Sequence, residues 1–399
     1  MKVLLIDVNC KNSSTGNIVY NLYSYINSSG DEAAVCYGRG EKIKEKNIFK
    51  FGIDAETYLH ALLTRITGFT GCFSFFSTRR LINYIKKFQP DVVHIHELHA
   101  YFVNIKPLIK FLKKNHIKTV MTLHCEFAYT GKCGHAVECE QWKNECKKCP
   151  HLKEYVSTMW FDHTNYMFRQ KKEIFNDFKE LSIITPSKWL AERVGKSFLK
   201  KYPLNIIHNG IDTSVFYPKN SVSLRKKLKI DDDEKIVLAL APHLMTKEKG
   251  GAFVKKIASK LENEKIRFIM VGIDGLERVY EKNIIMCGPI YDKKLLADYY
   301  SMADLFLICS ERENFPTTCI EAQCCGTPVY GFDTGGTMET CVDNGNERFV
   351  EYYDYNKLSQ LIASAPYKTS QSIKSLSSEA FSEYSFDIFC KRNKEIYKS

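Results

Sequence analysis

Glu311-Arg-Glu-Asn-Phe-Pro-Thr-Thr-Cys-Ile-Glu321, followed by Cys324-Cys-Gly-Thr-Pro328 and Thr334-Gly-Gly336, carries more information than any other stretch of the chain. It sets one carboxylate in a loop (Glu313) and a second, eight residues on, in an expected helix (Glu321). A helix start lies between them. Pro316 suits the first helical position, and the hydroxyls of Thr317 and Thr318 add to the free amide N–H groups there, which suits an anion. Downstream, Asp333, Thr334, Gly335 and Gly336 make a turn whose bare amides can reach a polar ligand. Two acids for sugar hydroxyls and a helix terminus for phosphates together fit a nucleotide sugar. The plainer alternative is that the two acids cap and solvate a helix.

Working outward, the second half of the chain alternates short apolar runs with helical patterns. Ile236–Leu240, Arg267–Val271, Ile284–Met286, Leu305–Ile308 and Pro328–Gly331 read as strands, with helices over Gly250–Leu261, Lys293–Ser301, Thr317–Cys324 and Lys357–Ala363. The first half repeats the scheme. Strands are expected at Val3–Ile6, Ala34–Tyr37, Val92–Ile95, Thr119–Leu123 and Ser182–Thr185, and helices at Asn17–Ile26, Leu81–Phe88 and Ile105–Lys114. Such alternation predicts an α/β protein of two doubly wound, Rossmann-like domains, with ligands at the carboxyl ends of the strands. The break at Tyr202-Pro203 divides residues 1–203 from 204–380. Residues 381–399 are expected as a C-terminal helix packing back on the first domain.

Length and composition agree with two domains. The 399 residues are 44% hydrophobic and 26% charged, which argues against extensive disorder. No apolar run reaches the ~18 residues needed to cross a bilayer, and Asp7 interrupts the N-terminal run before it could serve as a signal peptide. A cytoplasmic protein is expected. The net charge of +11 is uneven: residues 1–203 hold 31 Lys/Arg against 19 Asp/Glu, and the remainder 26 against 27. The first half therefore favours an anionic partner, such as acidic lipid, a lipid-linked diphosphate or nucleic acid, unless its charge serves only solubility.

The Glu311–Glu321 run resembles the donor-binding signature of retaining enzymes of glycosyltransferase family 4, and the resemblance extends over nearly the whole chain. It implies the GT-B architecture, two Rossmann-like domains facing across a cleft, with the donor mainly on the C-terminal domain and the acceptor on the N-terminal one. Glu321 matches the residue that binds the donor ribose, and Glu313 the one near the sugar and diphosphate. Phe315, Pro316, Thr317, Thr318, Gly335 and Gly336 fall by the same resemblance on the donor side. In Ala241-Pro-His-Leu-Met-Thr-Lys-Glu-Lys-Gly250, Lys249 matches the family's phosphate-binding lysine. The usual arginine is absent, leaving His243 or Lys247 as its replacement. Ser14-Thr-Gly-Asn-Ile18 follows the first strand as the family's glycine loop does, and Gly16 there permits close backbone approach to a ligand. His124 matches a histidine that contacts the donor sugar. Cys125 stands where an aspartate is usual, with Glu126 beside it.

Two further groups bear on metals. His94, His96 and His99 sit at the end of one expected strand, but no carboxylate arrangement completes a shell, and cleft-lining or core histidines are the preferred reading. Thr130-Gly-Lys-Cys133, Cys139, Trp142 and Cys146-Lys-Lys-Cys149-Pro150 form a cysteine-rich insert, residues 130–151. With Pro186-Ser-Lys-Trp-Leu190 and His208-Asn-Gly-Ile-Asp212, it resembles a subgroup similar to the glycosyltransferases that build colanic acid. Cys133, Cys139, Cys146 and Cys149 fit a structural zinc site, with His135 or His151 as stand-in ligands; alternatives are four thiols packing a loop, or a redox pair.

The expected function is transfer of a sugar, with retention, from a nucleoside-diphosphate sugar to a saccharide acceptor in bacterial surface or exopolysaccharide synthesis. That acceptor would be lipid-linked, at the inner face of the plasma membrane. Lys249, His124 and Glu313 are the catalytic candidates, and no cofactor is required for the chemistry. Basic helices carrying Arg79, Arg80, Lys86, Lys87, Lys106, Lys110, Lys113 and Lys114, with the apolar loop Gly68–Phe76, suggest peripheral contact with anionic membrane. Rival readings are a nucleotide-sugar epimerase or phosphorylase on the same fold, or a zinc-containing nucleic-acid-binding protein. Nucleic acid is not the expected partner, because the Glu-x7-Glu run would then have no purpose.

Overall fold

A computed structural model describes all 399 residues. The chain forms two compact units, Met1–His208 with Cys390–Ser399, and Asn209–Phe389. No helix is long and apolar enough to cross a membrane.

The first unit is built on strands β1 (Lys2–Asp7), β2 (Glu32–Tyr37), β3 (Ile48–Lys50), β4 (Val92–Ile95), β5 (Lys118–Thr122), β6 (Leu181–Thr185) and β7 (Leu204–Ile206). All pair in parallel in the order β3-β2-β1-β4-β5-β6-β7. Val3, Leu4, Leu5 and Ile6 are fully buried, as expected of a strand covered on both faces. The helix Ser14–Ser28 starts where Ser13 Oγ accepts from Gly16 N at 2.9 Å. The helices Phe75–Phe88 and Ile105–Lys114 turn Leu81, Ile85, Leu108, Ile109 and Leu112 into the core. Their apolar faces therefore serve the fold, and the basic residues mark its solvent side.

The second unit has strands β8 (Lys235–Leu240), β9 (Ile266–Val271), β10 (Arg278–Glu281), β11 (Ile284–Cys287), β12 (Leu305–Ile308), β13 (Val329–Phe332) and β14 (Phe349–Val350). Their order is β10-β11-β9-β8-β12-β13-β14, parallel except for the β10–β11 hairpin. In each sheet the chain reverses its direction of progress beside the first strand: between β1 and β4, and between β8 and β12. Ligands of doubly wound sheets bind outside the strand ends at such points.

Two boundaries differ from expectation. The chain continues past Pro203 into β7, whose Leu204, Asn205 and Ile206 pair with β6, so the first unit runs to His208. A three-residue edge strand with an exposed isoleucine leaves little pattern to read. Nor is residue 381 the start of a terminal helix. Two helices, Ser370–Tyr384 and Phe386–Lys398, meet at Ser385, whose extended backbone bridges Ile211. Ile211 N donates to Tyr384 O at 2.7 Å, and Phe386 N donates to Ile211 O, which holds the break open. Within the first unit the chain's end is fastened by Tyr397, whose hydroxyl lies 2.6 Å from His94 Nδ1, and by the Lys394–Asp31 ion pair.

Candidate active site

In the second unit, three strand-end loops converge on Glu313. The loop after β8 carries a short 3-10 turn, Lys247–Lys249, ahead of the helix Gly251–Lys260. Lys249 Nζ reaches Glu313 Oε1 at 2.6 Å, and Lys247 Nζ reaches Glu311 Oε1 at 3.4 Å. Gly250 has φ +73°, and a Cβ there would lie 2.0 Å from the Cys309 carbonyl. Only glycine lets this loop lie so close to the end of β12. From the other side, Gly335 bridges Glu313 with φ +63°, and a Cβ would stand 1.9 Å from the Glu313 carbonyl; Gly336 N donates to that carbonyl at 2.9 Å.

Glu313 thus lies between a lysine and a glycine turn, three residues before Pro316. Pro316 is the residue preceding the helix Thr317–Cys324, with extended ψ 118°, rather than its first residue. The first-turn amides at Thr317 and Thr318 carry no side-chain cap, and both residues are half-buried. One turn further on, Glu321 Oε2 accepts from Tyr300 Oη at 2.9 Å. Burial pushes its carboxyl up to about 7.

Two donor-side candidates are placed elsewhere. Phe315 is buried in the core with its ring 5.8 Å from that of Tyr384, so its side chain supports the loop from beneath. His243, in a left-handed turn (φ +53°), is exposed and bonded through Nδ1 to Asp274 Oδ2 at 2.6 Å. Lys247 sits nearer the converging loops, through its contact with Glu311.

In the first unit the strand ends carry neutral chemistry. Gly16 opens its helix against Asn9 and Ser13, and Thr15 Oγ1 donates to Asp7 Oδ2 at 3.0 Å. Burial, and secondarily Glu97, pushes Asp7 up to about 8. His124 Nε2 lies 3.1 Å from His96 Nδ1, one ring donating to the other. Burial lowers His124 to about 4 and holds both rings neutral. His94 is a satisfied core residue between Tyr397 and Thr122. Glu126 does not replace the family's aspartate: fully buried, it accepts from Arg193 Nε, Tyr129 Oη and Ala136 N. The carboxyl beside Cys125 is instead that of Glu97, 28 residues earlier. Sequence spacing gave no sign of it, because the neighbours come from the ends of two adjacent strands.

The cysteine insert is ordered by Trp142, whose indole N–H donates to Cys139 O, and by buried Lys132, which donates to the carbonyls of His151 and Leu152. Cys133 and Cys149 are paired. The Cys133 thiol bonds to Cys149 and lowers it to about 6, while that bond and burial raise Cys133. The four sulfurs do not form a group with ligand atoms within 4.8 Å of one another. Zinc–thiolate bonds of about 2.3 Å would hold tetrahedral sulfurs roughly 3.8 Å apart. The insert thus presents a hydrogen-bonded Cys133–Cys149 pair, with Cys146 close enough to act on its charges and Cys139 on that of Cys146, and His151 is engaged with Glu154.

The description "Glycosyltransferase Family 4" matches residues 15–215, and "Glycosyl transferases group 1" matches residues 221–372. The chain belongs to glycosyltransferase family 4. Over 281 residues it is 27% identical to the colanic acid biosynthesis glycosyl transferase WcaC of Escherichia coli, a match covering 66% of this chain and 64% of that protein's length. Among solved structures, sucrose-phosphate synthase of Thermosynechococcus elongatus superposes with TM-score 0.67 at 16% identity, covering 100% of this chain and 98% of the other. Anabaena HepE, solved with UDP-glucose, gives 0.64 at 15% identity, covering 100% and 99%. This family 4 chain thus has the α/β fold of GT-B glycosyltransferases.

Proposed function

We propose that this chain is a retaining glycosyltransferase that moves a sugar from a nucleoside-diphosphate donor to a lipid-linked saccharide in surface-polysaccharide synthesis. The observation that carries this reading is the convergence of Lys249, Glu313, the Gly335-Gly336 turn and the Thr317 helix start at the switch point of the second sheet. Lys249, now paired with Glu313, turns to the diphosphate when the donor binds, beside the free amides of Thr317 and Thr318. Both stabilise the negative charge that grows on the leaving phosphate. Glu321 takes the ribose hydroxyls, with Tyr300 occupying one of its oxygens and leaving the other for a sugar O–H. Glu313 faces the sugar.

The bond from the anomeric carbon to the phosphate oxygen breaks as the acceptor oxygen bonds on the same face. A phosphate oxygen takes the acceptor's proton, so no side-chain nucleophile is invoked. On the first unit, burial keeps His124 neutral, so its ring can hydrogen-bond a sugar hydroxyl without setting a positive charge beside it. The family 4 relative from colanic acid synthesis and the UDP-glucose in HepE support the substrate classes.

Membrane contact belongs to the same proposal, carried by the end of the expected loop and the helix before it. In the loop Gly68–Phe76, Phe69 stacks on His163 and Phe73 packs on His60, so neither is free to insert. Tyr58, Leu59 and Leu62 on the helix Asp54–Thr67, with Phe75 and Phe76, are exposed. Together with Arg79 and Arg80 they suit an anionic bilayer surface. Incubating the chain with UDP-, GDP- and ADP-sugars and a lipid-linked acceptor tests the reading. Expected products are free nucleotide and an α-linked sugar from an α-linked donor; an isomerised donor, or an inverted product, contradicts it.

A further inference from the structure

The ends of β4 and β5 bring together three side chains that the proposed transfer does not use. Glu97 and His99 follow β4, and Cys125 follows β5, its hydrogen-bonded neighbour. His99 Nε2 lies 3.1 Å from Glu97 Oε2, and Cys125 Sγ lies 4.0 Å from the same oxygen. The three ligand atoms all fall within 4.8 Å of one another. In a tetrahedral shell with bonds of about 2.0–2.3 Å, ligand atoms stand roughly 3.3–3.7 Å apart. The His99–Glu97 and Cys125–Glu97 separations, 3.1 and 4.0 Å, are within some tenths of an ångström of that spacing, and the third separation is no more than 4.8 Å.

As it stands, the cluster is poorly satisfied. Glu97 is 7% exposed, and one imidazole and one distant thiol are its partners, so most of its acceptor capacity is unmet. His99 Nδ1, His96 Nε2 and Asp7 Oδ1 are buried without hydrogen-bond partners. A cavity of about 20 Å³, lined by His96, Glu97, His124 and Cys125 among others, adjoins the group and has room for one water or ion. The buried Lys171 ammonium directs its hydrogen bonds to the carbonyls of Phe127, Thr130 and Gly131, although its charge is felt at Cys125 and His99. A buried carboxyl, an imidazole and a thiol, held together on two loops, are a donor set suited to a zinc-type cation.

We propose that Glu97, His99 and Cys125 bind one divalent cation of the zinc class. The ion ties the loop after β4 to the loop after β5 and leaves a fourth position for water. His99 is already oriented for this, its ring held edge-on by Phe127 and Tyr155. The site is separate from the cysteine insert and from the donor loops of the second unit.

The full chain, stripped with chelator, is titrated with Co²⁺ and then Zn²⁺, beside Cys125→Ser, His99→Ala and a Cys149→Ser control in the insert. The expected result is one Co²⁺ with thiolate charge-transfer absorption that Zn²⁺ displaces. Cys125→Ser removes that absorption, His99→Ala weakens binding at least tenfold, and Cys149→Ser keeps it. A Cys125→Ser chain with the unsubstituted stoichiometry and spectrum overturns the proposal, as does absorption lost only in Cys149→Ser. A second measurement does not depend on the variants folding. In the unsubstituted chain, Zn²⁺ slows alkylation of Cys125, read by peptide mass spectrometry, relative to chelator. Equal alkylation with and without Zn²⁺ overturns the site.

Discussion

The two units share a sheet topology and differ in what they place at its switch point. In the second, the strand ends carry paired charges: Lys249 with Glu313, and Lys247 with Glu311. In the first they carry imidazoles held neutral and carboxyls that burial pushes up to about 8, Asp7 and Glu97. The overall charge runs the other way, because the first half holds the Lys/Arg surplus. That surplus lies on solvent-facing helix sides such as Arg79, Arg80, Lys86 and Lys87, away from the strand ends. Net charge thus describes a unit's surface, whereas the chemistry at the strand ends is set by the few groups placed there.

This contrast is most severely strained by removing the charges of the second unit. Lys249→Ala is expected to lower transfer by about 10²–10³-fold, the scale of losing one preorganised stabiliser of a developing oxyanion. Glu321→Ala should lose a similar amount, chiefly through donor affinity. Steady-state kinetics separates the two, since the lysine effect falls on kcat and the glutamate effect on KM. Gly335→Ala comes next. It forces a side chain into a left-handed backbone and against the Glu313 carbonyl, so about 1–3 kcal/mol of stability and most of the activity should go, read by melting and by initial rates.

A pH series sharpens the comparison further. Glu321 has a folded pKa of about 7 against an ordinary 4.5, so the fold holds its proton more tightly than the unfolded chain does. Its contribution to stability is complete below the unfolded value and is lost as pH rises toward 7. Glu321→Gln should therefore flatten the fall in melting temperature between about pH 5 and 8. On the first unit, Tyr397→Phe removes a buried partner of His94 and should cost about 1–3 kcal/mol without changing KM for the donor. His243→Ala should have the smallest effect, under about threefold in rate and about 0.5 kcal/mol in stability. Its exposed pair with Asp274 contributes little, and that pairing already occupies the imidazole.

Much of the fold was legible because buried parallel strands read as apolar runs. Val92–Ile95 and Leu305–Ile308 stand where expected, as do the helices Ile105–Lys114 and Thr317–Cys324. The strands that escaped, Ile48–Lys50, Leu204–Ile206, Arg278–Glu281 and Phe349–Val350, lie at or next to sheet edges and are two to four residues long. The helix Asp54–Thr67 was hidden because Tyr58, Leu59 and Leu62 face solvent and blur its period. In the second unit Glu313 and Glu321 lie eight residues apart and could be picked out from that spacing, whereas Lys249, 64 residues from Glu313, is identified through the family resemblance of its loop. The first unit assembles Asp7, Glu97 and Cys125 from three separate strand ends. No local pattern announces such a meeting, and the neighbouring Glu126 drew attention that its bond to Arg193 does not support.

Hydrogen exchange of the full chain, with and without UDP-, GDP- and ADP-sugars, tests the placement of the donor most directly. The account predicts that one of these protects the amides of residues 247–250, 313–321 and 334–336 together, and that Lys249→Ala weakens that protection. Exchange unchanged in all three segments with every donor, or protection confined to the loops after β4 and β5, would contradict it.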